Sequence, residues 1–90
     1  MNPFTPKIKV AIIFNHEGKQ ATKTMKVKCS KTNGKIFDQV LAKADKKFGF
    51  GNWIVKYEDC GSKYDYPEHS NESIGLSHPN GLLLHCSVAH

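Results

Sequence analysis

Arginine is absent from this sequence of 90 residues, and all thirteen basic residues are lysine. Arginine forms the paired hydrogen bonds that read guanine edges and clamp carboxylates or phosphates, whereas lysine acts as a point charge. We therefore do not expect sequence-specific recognition of nucleic acid. Non-specific attraction to anions stays open, because lysine supplies the positive charge that such attraction needs.

Long apolar runs are missing as well. No segment approaches the roughly 20 apolar residues that a membrane-spanning helix requires. The first seven residues also lack the charged region and the apolar region of a secretion signal. We expect a cytoplasmic protein without a membrane span, with the nucleus as the alternative location.

Motifs of metal binding and catalysis are also lacking. Cys29, Cys60 and Cys86 are odd in number and form no Cys-x-x-Cys pair, which argues against a disulfide framework and against a zinc ribbon. The five histidines show no spacing that would complete a tetrahedral site. The sequence contains neither a Gly-x-Ser-x-Gly motif nor a glycine loop for phosphate. We expect no catalytic activity, no metal and no cofactor.

Charge is distributed unevenly along the chain. Residues 1–47 contain eleven lysines and three acids, a net charge of +8, whereas residues 48–90 contain two lysines and five acids, a net charge of −3. If the two halves form different faces, the domain offers a basic surface to an acidic partner and a weaker acidic surface of its own.

The first half of the sequence begins with the pattern of a β-hairpin. Residues 7–14 and residues 22–29 both alternate between two kinds of side chain, and residues 15–19 between them have turn chemistry. The apolar positions of the first strand are Ile8, Val10, Ile12 and Phe14. In the second strand, Met25, Val27 and Cys29 share one side, and Thr24, Lys26 and Lys28 share the other. We expect one face of the hairpin in the core and one in water.

From Ile36 the apolar period changes to that of a helix. Apolar side chains recur four residues apart, at Ile36, Val40, Ala44 and Phe48. Thr32 or Asn33 can cap the start of this helix, and Gly49 suits its end. Residues 53–57 and 63–66 then predict a third strand and a short fourth strand, and residues 81–88 predict a final apolar strand.

The predicted element order is therefore ββαβββ. We expect one α+β domain over residues 1–90, with residues 1–6 flexible, in which a mixed sheet of four to five strands wraps one helix and the last strand pairs beside the first. A different small α+β sandwich is the alternative. Over about residues 7–88, this order resembles the ubiquitin-like (β-grasp) superfamily.

Several ubiquitin-like families share features with the chain. Residues 44–50, 70–76 and 80–84 resemble the helix end, the crossover and the last strand of UBX-like domains, which dock on partner proteins. Residues 27–50 also resemble Ras-association and doublecortin domains. These resemblances imply a non-catalytic module that binds another protein.

Phox-and-Bem domains are a further resemblance. Their basic first strand has a counterpart in Lys7 and Lys9, and residues 57–65 look like a degraded form of their acidic loop. Cys60 and Lys63 stand where that family prefers acids, which argues against its front-to-back assembly. Ubiquitin-like modifiers are similar in fold but act through a terminal glycine, and residues 87–90 contain none. We therefore expect no conjugation of this form, and a modifier that lacks its tail remains an alternative.

A lysine-rich surface is the first candidate binding site. Lys26 and Lys28 lie on the solvent side of the second predicted strand, and Lys31 and Lys35 lie at the start of the helix. In β-grasp proteins that bind small GTPases, the second strand and the first helix carry the basic contacts, so an acidic segment could dock here by edge pairing. The alternative is that these lysines protect an exposed edge strand from aggregation.

An apolar patch is the second candidate. If Leu82, Leu84 and Cys86 face the helix, then Leu83 and His85 face outward, and Ile54 lies beside them on the third strand. Ubiquitin carries its main recognition patch in a similar region. The alternative is that the alternation is assigned out of phase, which would exchange the two faces.

The function predicted from the sequence is protein–protein interaction. The expected partner is a protein with an acidic surface, such as a small GTPase or a component of the ubiquitin pathway. The alternative from another class is electrostatic binding to a polyanion such as a microtubule, RNA or anionic lipid, which the net charge of +8 over residues 1–47 would favour.

Overall fold

The computed structural model describes residues 6–49 and 51–88. In that part of the chain, the strands are β1 (Lys7–His16), β2 (Lys19–Lys28), β3 (Trp53–Asp59), β4 (Ser62–Asp65) and β5 (Leu82–Val88). The helices are α1 (Asn33–Phe48) and the single-turn α2 (Ile74–Ser77). The flexibility expected at residues 1–6 concerns a segment whose first five residues lie outside the described residues.

All five strands form one mixed sheet in the order β2-β1-β5-β3-β4. Strand β1 pairs antiparallel with β2 and parallel with β5, and β3 pairs antiparallel with both β5 and β4. The prediction that the last strand lies beside the first is confirmed, as is the α+β class with a mixed sheet and one main helix.

The turn between β1 and β2 is tighter than the sequence indicates. Glu17 and Gly18 are its two residues, and their φ angles are 50° and 76°. Two positive φ angles in a two-residue loop define a turn whose twist matches the twist of the flanking strands. Pairing can therefore start at His16 and Lys19, and β2 begins three residues before the predicted position 22.

The core lies between α1 and the inner face of the sheet. The four apolar positions predicted on β1 are buried, as are Leu82, Leu84 and Cys86 on β5. On α1, Ile36, Val40 and Ala44 are fully buried, which confirms the helical period. Burying alternate strand residues against one helix stripe leaves the odd-numbered positions of β1 and β5 on the outer face.

Both ends of α1 are capped by the predicted residues. The Thr32 side chain accepts a hydrogen bond from the backbone N–H of Lys35 at 3.3 Å. Gly49 has a φ of 87°, and its N–H donates to the carbonyl of Asp45 at 2.8 Å. Such caps satisfy backbone groups that a helix leaves unpaired at its ends.

The crossover between β4 and β5 is held against the start of α1. The N–H groups of Asn33 and Gly34 donate to the carbonyls of Glu72 and Ser70, at 3.0 and 2.8 Å. In the other direction, the N–H of Ile74 donates to the carbonyl of Lys31 at 2.8 Å. These bonds order a segment whose sequence reads as a polar loop.

Asn33 is the polar centre of this junction, and its side chain is buried. Its amide donates to the Ser77 hydroxyl at 2.8 Å and to the His69 carbonyl at 3.2 Å. Its oxygen accepts from the Tyr66 hydroxyl at 2.9 Å. Asn33 therefore joins α1, α2 and the crossover, a role beyond the capping role considered from the sequence.

Candidate protein-binding surfaces

Strand β2 is an edge of the sheet, because β1 is its only neighbour among the described strands. It is ten residues long, whereas the opposite edge strand β4 has four residues. An edge strand leaves alternate backbone N–H and C=O groups without a strand partner, so it can accept a further strand. Strand β2 thus offers a long row of hydrogen-bonding groups beside α1.

The predicted basic residues converge at one end of this edge. Lys26, Lys28, Lys31 and Lys35 line one surface depression of about 430 Å³. Lys7 joins them because it lies directly opposite Lys28 in the pairing of β1 with β2. The turn between β2 and α1 is closed by a hydrogen bond from the Lys31 N–H to the Lys28 carbonyl at 3.0 Å, which brings the helix start back to the strand end. We call these five lysines the helix-start cluster.

The helix-start cluster is not neutralised within the described part of the chain. No carboxylate lines the depression, and none of the five lysines forms an ion pair with a described residue. Like charges held close together raise the local positive potential, and an incoming carboxylate lowers that repulsion. The depression is therefore suited to an anionic group.

A second lysine cluster lies at the other end of β2 and was missed in the sequence. Lys23, Lys43, Lys46 and Lys47 line a depression of about 680 Å³ together with Phe14, Ala21 and two threonines of β2. We call these four lysines the helix-end cluster. No carboxylate of the described residues lines this depression either.

Two signals in the sequence could have revealed the helix-end cluster. Lys35, Lys43 and Lys46 recur at the spacing of one helix side. They therefore form a stripe along one side of the helix and are not spread over its whole solvent-exposed surface. Lys23 pairs opposite the buried Ile12 and so occupies an inward-facing position of β2. A lysine at an inward position of an edge strand marks the place where the helix no longer covers the sheet.

The predicted apolar patch lies on the outer face of the sheet. Leu82 and Leu84 are buried, so Leu83 and His85 face outward as expected. Ile54 is 41% exposed, and Leu83 and His85 are partly exposed. Ile54 pairs opposite Ser87, two residues from His85 and four from Leu83, so the register does not bring Ile54 beside Leu83 as expected. We call these three residues the outer-face patch, and their role in binding stays a prediction.

His85 in the outer-face patch has a partner that the sequence did not indicate. Its Nε2 atom lies 2.8 Å from an oxygen of Glu58 on β3. Lys56, which pairs opposite His85, lies 3.7 Å from Asp65 on β4. The outer face therefore changes from apolar to alternating charge toward β4.

Acidic side chains gather near the turn between β3 and β4. Burial lowers the pKa of His78, and the negative charges of Asp59, Glu72 and Glu68 oppose this effect. The three acids are therefore close enough to His78 to influence its charge. The lysine clusters line the β2 edge, so the uneven charge of the sequence becomes an uneven charge of the surface.

The loop that resembles the Phox-and-Bem acidic loop is a tight hairpin. Cys60 and Gly61 form its turn with φ angles of 51° and 82°. Lys63 pairs opposite Glu58 across the hairpin. A basic residue facing this acid lowers the negative potential of the loop, in agreement with the departure noted in the sequence.

The cysteines differ in burial, and they do not combine with other described side chains into a metal site. Among residues 6–49 and 51–88, no group of three metal-binding side chains could hold a metal ion. Cys60 is exposed, Cys29 is partly buried and Cys86 is fully buried, where burial raises the pKa of its thiol to about 11. In the same part of the chain, neither helix is long and apolar enough to cross a membrane.

Comparison with known proteins gives similarities of structure but none of sequence. No protein-family model and no curated protein match the sequence. The structure is similar to a ubiquitin-like domain from tubulin-binding cofactor B, with a TM-score of 0.58, 8% identity and 93% of each chain covered.

A second solved structure gives the same result. The C-terminal ubiquitin-like domain of mouse tubulin-specific chaperone e matches with a TM-score of 0.57 and 12% identity, over 100% of this chain and 96% of that one. Both likenesses extend over nearly the whole length and agree with the strand order, the pairing and the single main helix described above. The chain therefore has the ubiquitin-like β-grasp fold.

Proposed function

We propose that this domain is a non-catalytic module that binds an acidic surface of a partner protein through Lys26, Lys28, Lys31 and Lys35. The observation that carries this proposal is their convergence, with Lys7, on one depression that no described carboxylate lines. Charge complementarity at such a site raises the association rate and selects against partners of like charge. A small GTPase or a ubiquitin-pathway protein in the cytoplasm is the expected kind of partner.

The outer-face patch offers a second contact for the same class of function. Ile54 is 41% exposed and lies on the same face as Leu83 and His85. Partly exposed apolar side chains with charged pairs between and around them are common in protein interfaces. We expect this patch to contribute where the partner also covers β3 and β5.

Binding to a polyanion is the competing function. The two solved structures of similar fold come from proteins named for tubulin, and an anionic filament, RNA or lipid surface would also be attracted to lysine clusters. Such binding depends steeply on salt, whereas a protein interface with apolar contacts keeps part of its affinity.

The test is affinity capture with paired variants. The immobilised domain is incubated with nuclease-treated cell lysate and washed at 50 and 200 mM salt, and each retained protein is purified for direct binding measurements. We expect Lys26→Glu/Lys28→Glu and Lys31→Glu/Lys35→Glu each to weaken binding by about tenfold or more, since each reversal replaces an attraction by a repulsion. Leu83→Ala measures the contribution of the outer-face patch.

Lys19→Glu/Lys63→Glu is the matched control, because it changes the net charge equally and neither lysine belongs to the helix-start cluster or pairs with a residue of the outer-face patch. If all three charge reversals weaken binding to the same extent, the effect belongs to net charge and the proposed site is wrong. If only nucleic acid, lipid or filament is retained, and only at 50 mM salt, the polyanion function replaces the proposal.

A further inference from the structure

The depressions that hold the two lysine clusters follow one another along the free edge of β2, and each also reaches residues of α1. We call the two depressions and the strand edge between them the groove. On the strand side of this groove, Lys23 lies on the face of β2 that is turned toward α1, and Lys26 and Lys28 lie on the opposite face at the edge. Lys35 lies on the helix side in the helix-start cluster, and Lys43, Lys46 and Lys47 form the helix side of the helix-end cluster. Gln39 lies between them on the same side of α1, at the spacing of one helix turn from Lys35 and Lys43.

Both walls of the groove give the same distance between the clusters. On β2, residues 21–24 line one depression and residues 26–28 line the other, so their centres are between four and five residues apart, about 15 Å at ~3.4 Å per residue. On α1, Lys35 and the middle of residues 43–47 are about ten residues apart, which again gives ~15 Å at ~1.5 Å per residue. The groove thus has two positive ends at a defined separation.

The backbone of β2 between the clusters is available for pairing. No described strand or helix covers its outer edge, and the strand contains no proline. Thr22 and Thr24 are exposed there, and threonine is a favourable residue in a paired strand. A bound chain can therefore gain main-chain hydrogen bonds in the region that separates the two clusters.

We propose that one extended peptide segment fills this groove as a sixth strand beside β2 and places one carboxylate in each lysine cluster. The segment has acidic residues at positions i and i+4, because these side chains point to the same face of a strand and lie about 13 Å apart. Flexible lysine side chains cover the remaining ~2 Å. This inference rests on the proposed function and specifies the partner segment by its conformation and by the spacing of its acids.

A helical segment with the same i, i+4 spacing of acids would not reach both clusters. Positions i and i+4 of a helix also share a face, but they are separated by only about 6 Å along the axis. Adjacent acids in an extended segment would point to opposite faces and could occupy only one cluster. Spacing and backbone conformation therefore distinguish this mode of binding from general attraction to negative charge.

The experiment uses two peptides of equal composition and the ¹⁵N-labelled protein. The first has the core Glu-Thr-Val-Thr-Glu, the second has Thr-Val-Thr-Glu-Glu, and both have blocked ends and neutral flanks. Affinities are measured by NMR chemical-shift titration at 50 and 150 mM salt. We expect the first peptide to bind about tenfold more tightly, with shifts at both clusters, because only it reaches both ends of the groove.

Protein variants and a modified peptide test each part of the inference. Lys31→Glu/Lys35→Glu and Lys43→Glu/Lys46→Glu are each expected to remove the advantage of the first peptide, whereas Lys56→Glu/Lys63→Glu leaves it intact. If the charge reversal Lys43→Glu/Lys46→Glu unfolds the helix end, the neutral variant Lys43→Gln/Lys46→Gln takes its place. N-methylation of the peptide amides that face β2 is expected to weaken binding by at least tenfold, because it removes main-chain donors.

Equal affinity of the two peptides, or undiminished binding of the N-methylated form, would overturn the inference. Shifts confined to the helix-start cluster would also overturn it while leaving the proposed function intact. The proposed function fails separately if the captured partner protein binds the helix-start variants as tightly as it binds the unmodified domain.

Discussion

Replacing Asn33 by alanine tests whether its buried side chain holds the junction beside the helix-start cluster together. The substitution removes hydrogen bonds to Ser77 and to the His69 carbonyl, at 2.8 and 3.2 Å. It also leaves the Tyr66 hydroxyl without its acceptor, in a residue that is only 4% exposed. Because Lys31, Thr32 and Lys35 flank Asn33, the loss should also loosen one side of the proposed binding surface.

The expected size follows from these contacts. A typical intramolecular hydrogen bond contributes about 1 kcal/mol, and a buried hydroxyl left unpaired costs about 1–3 kcal/mol. We therefore expect Asn33→Ala to lower the free energy of unfolding by about 3–5 kcal/mol. For a domain of this size that corresponds to a fall in Tm on the order of 20 °C. Tyr66→Phe alone should cost about 1–2 kcal/mol, since it leaves only the Asn33 oxygen unpaired.

A double-mutant cycle measured by urea denaturation tests the reasoning. In Asn33→Ala/Tyr66→Phe the unpaired hydroxyl is gone, so the combined loss should fall short of the sum of the single losses by at least about 1 kcal/mol. Asn71→Ala, at an exposed position of the same crossover, is the control and should change stability by less than about 0.5 kcal/mol. Strict additivity of the two substitutions, or an equal loss in the control, would refute the role assigned to Asn33.

Three further perturbations have expected outcomes. Gly75→Ala should lower the free energy of unfolding by about 1–3 kcal/mol, because a β-carbon there would lie 2.9 Å from the β-carbon of Cys29. Thermal melts measure this loss, and an unchanged Tm would contradict the contact. Cys60 should react with a thiol reagent at once, whereas Cys86 should react only at the rate of unfolding because it is fully buried, and equal rates in a time course would contradict its burial. Burial lowers the pKa of His78 from its usual 6.5, so the folded state binds fewer protons than the unfolded state. The free energy of unfolding should therefore fall as the pH drops below about 6.5. His78→Gln should flatten this part of the pH profile, and an unchanged slope would refute the assignment.

The elements whose type and buried face were predicted correctly are those whose pattern is set by burial on one side, although β1 extends two residues beyond the predicted position 14. Ile8, Val10 and Ile12 alternate because β1 has one face in the core, and the period of α1 follows from the same cause. The start of β2 was wrong by three residues, because Glu17 adopts a positive φ that its residue type does not indicate. Local conformation of this kind depends on the pairing that the turn closes.

Only part of the candidate site could be predicted from the sequence, because the rest depends on contacts between distant parts of the chain. Lys26 and Lys28 could be assigned to the outer face from strand alternation alone. The helix-end cluster depends on which side of α1 packs toward β2, and this is decided by tertiary packing. The partnership of His85 with Glu58 likewise depends on the register between β5 and β3, which the separate strand patterns do not contain.

Every positive group in the two lysine clusters is a primary amine. Acetylation converts such an amine into a neutral amide and removes its charge, a change that has no counterpart for a guanidinium under the same chemistry. Because the helix-start and helix-end clusters contain five and four lysines, their charge can be lowered in single steps and independently at each end of the groove. An edge built from lysine alone is thus a surface whose attraction for acidic partners can be graded by covalent modification, without any change of fold.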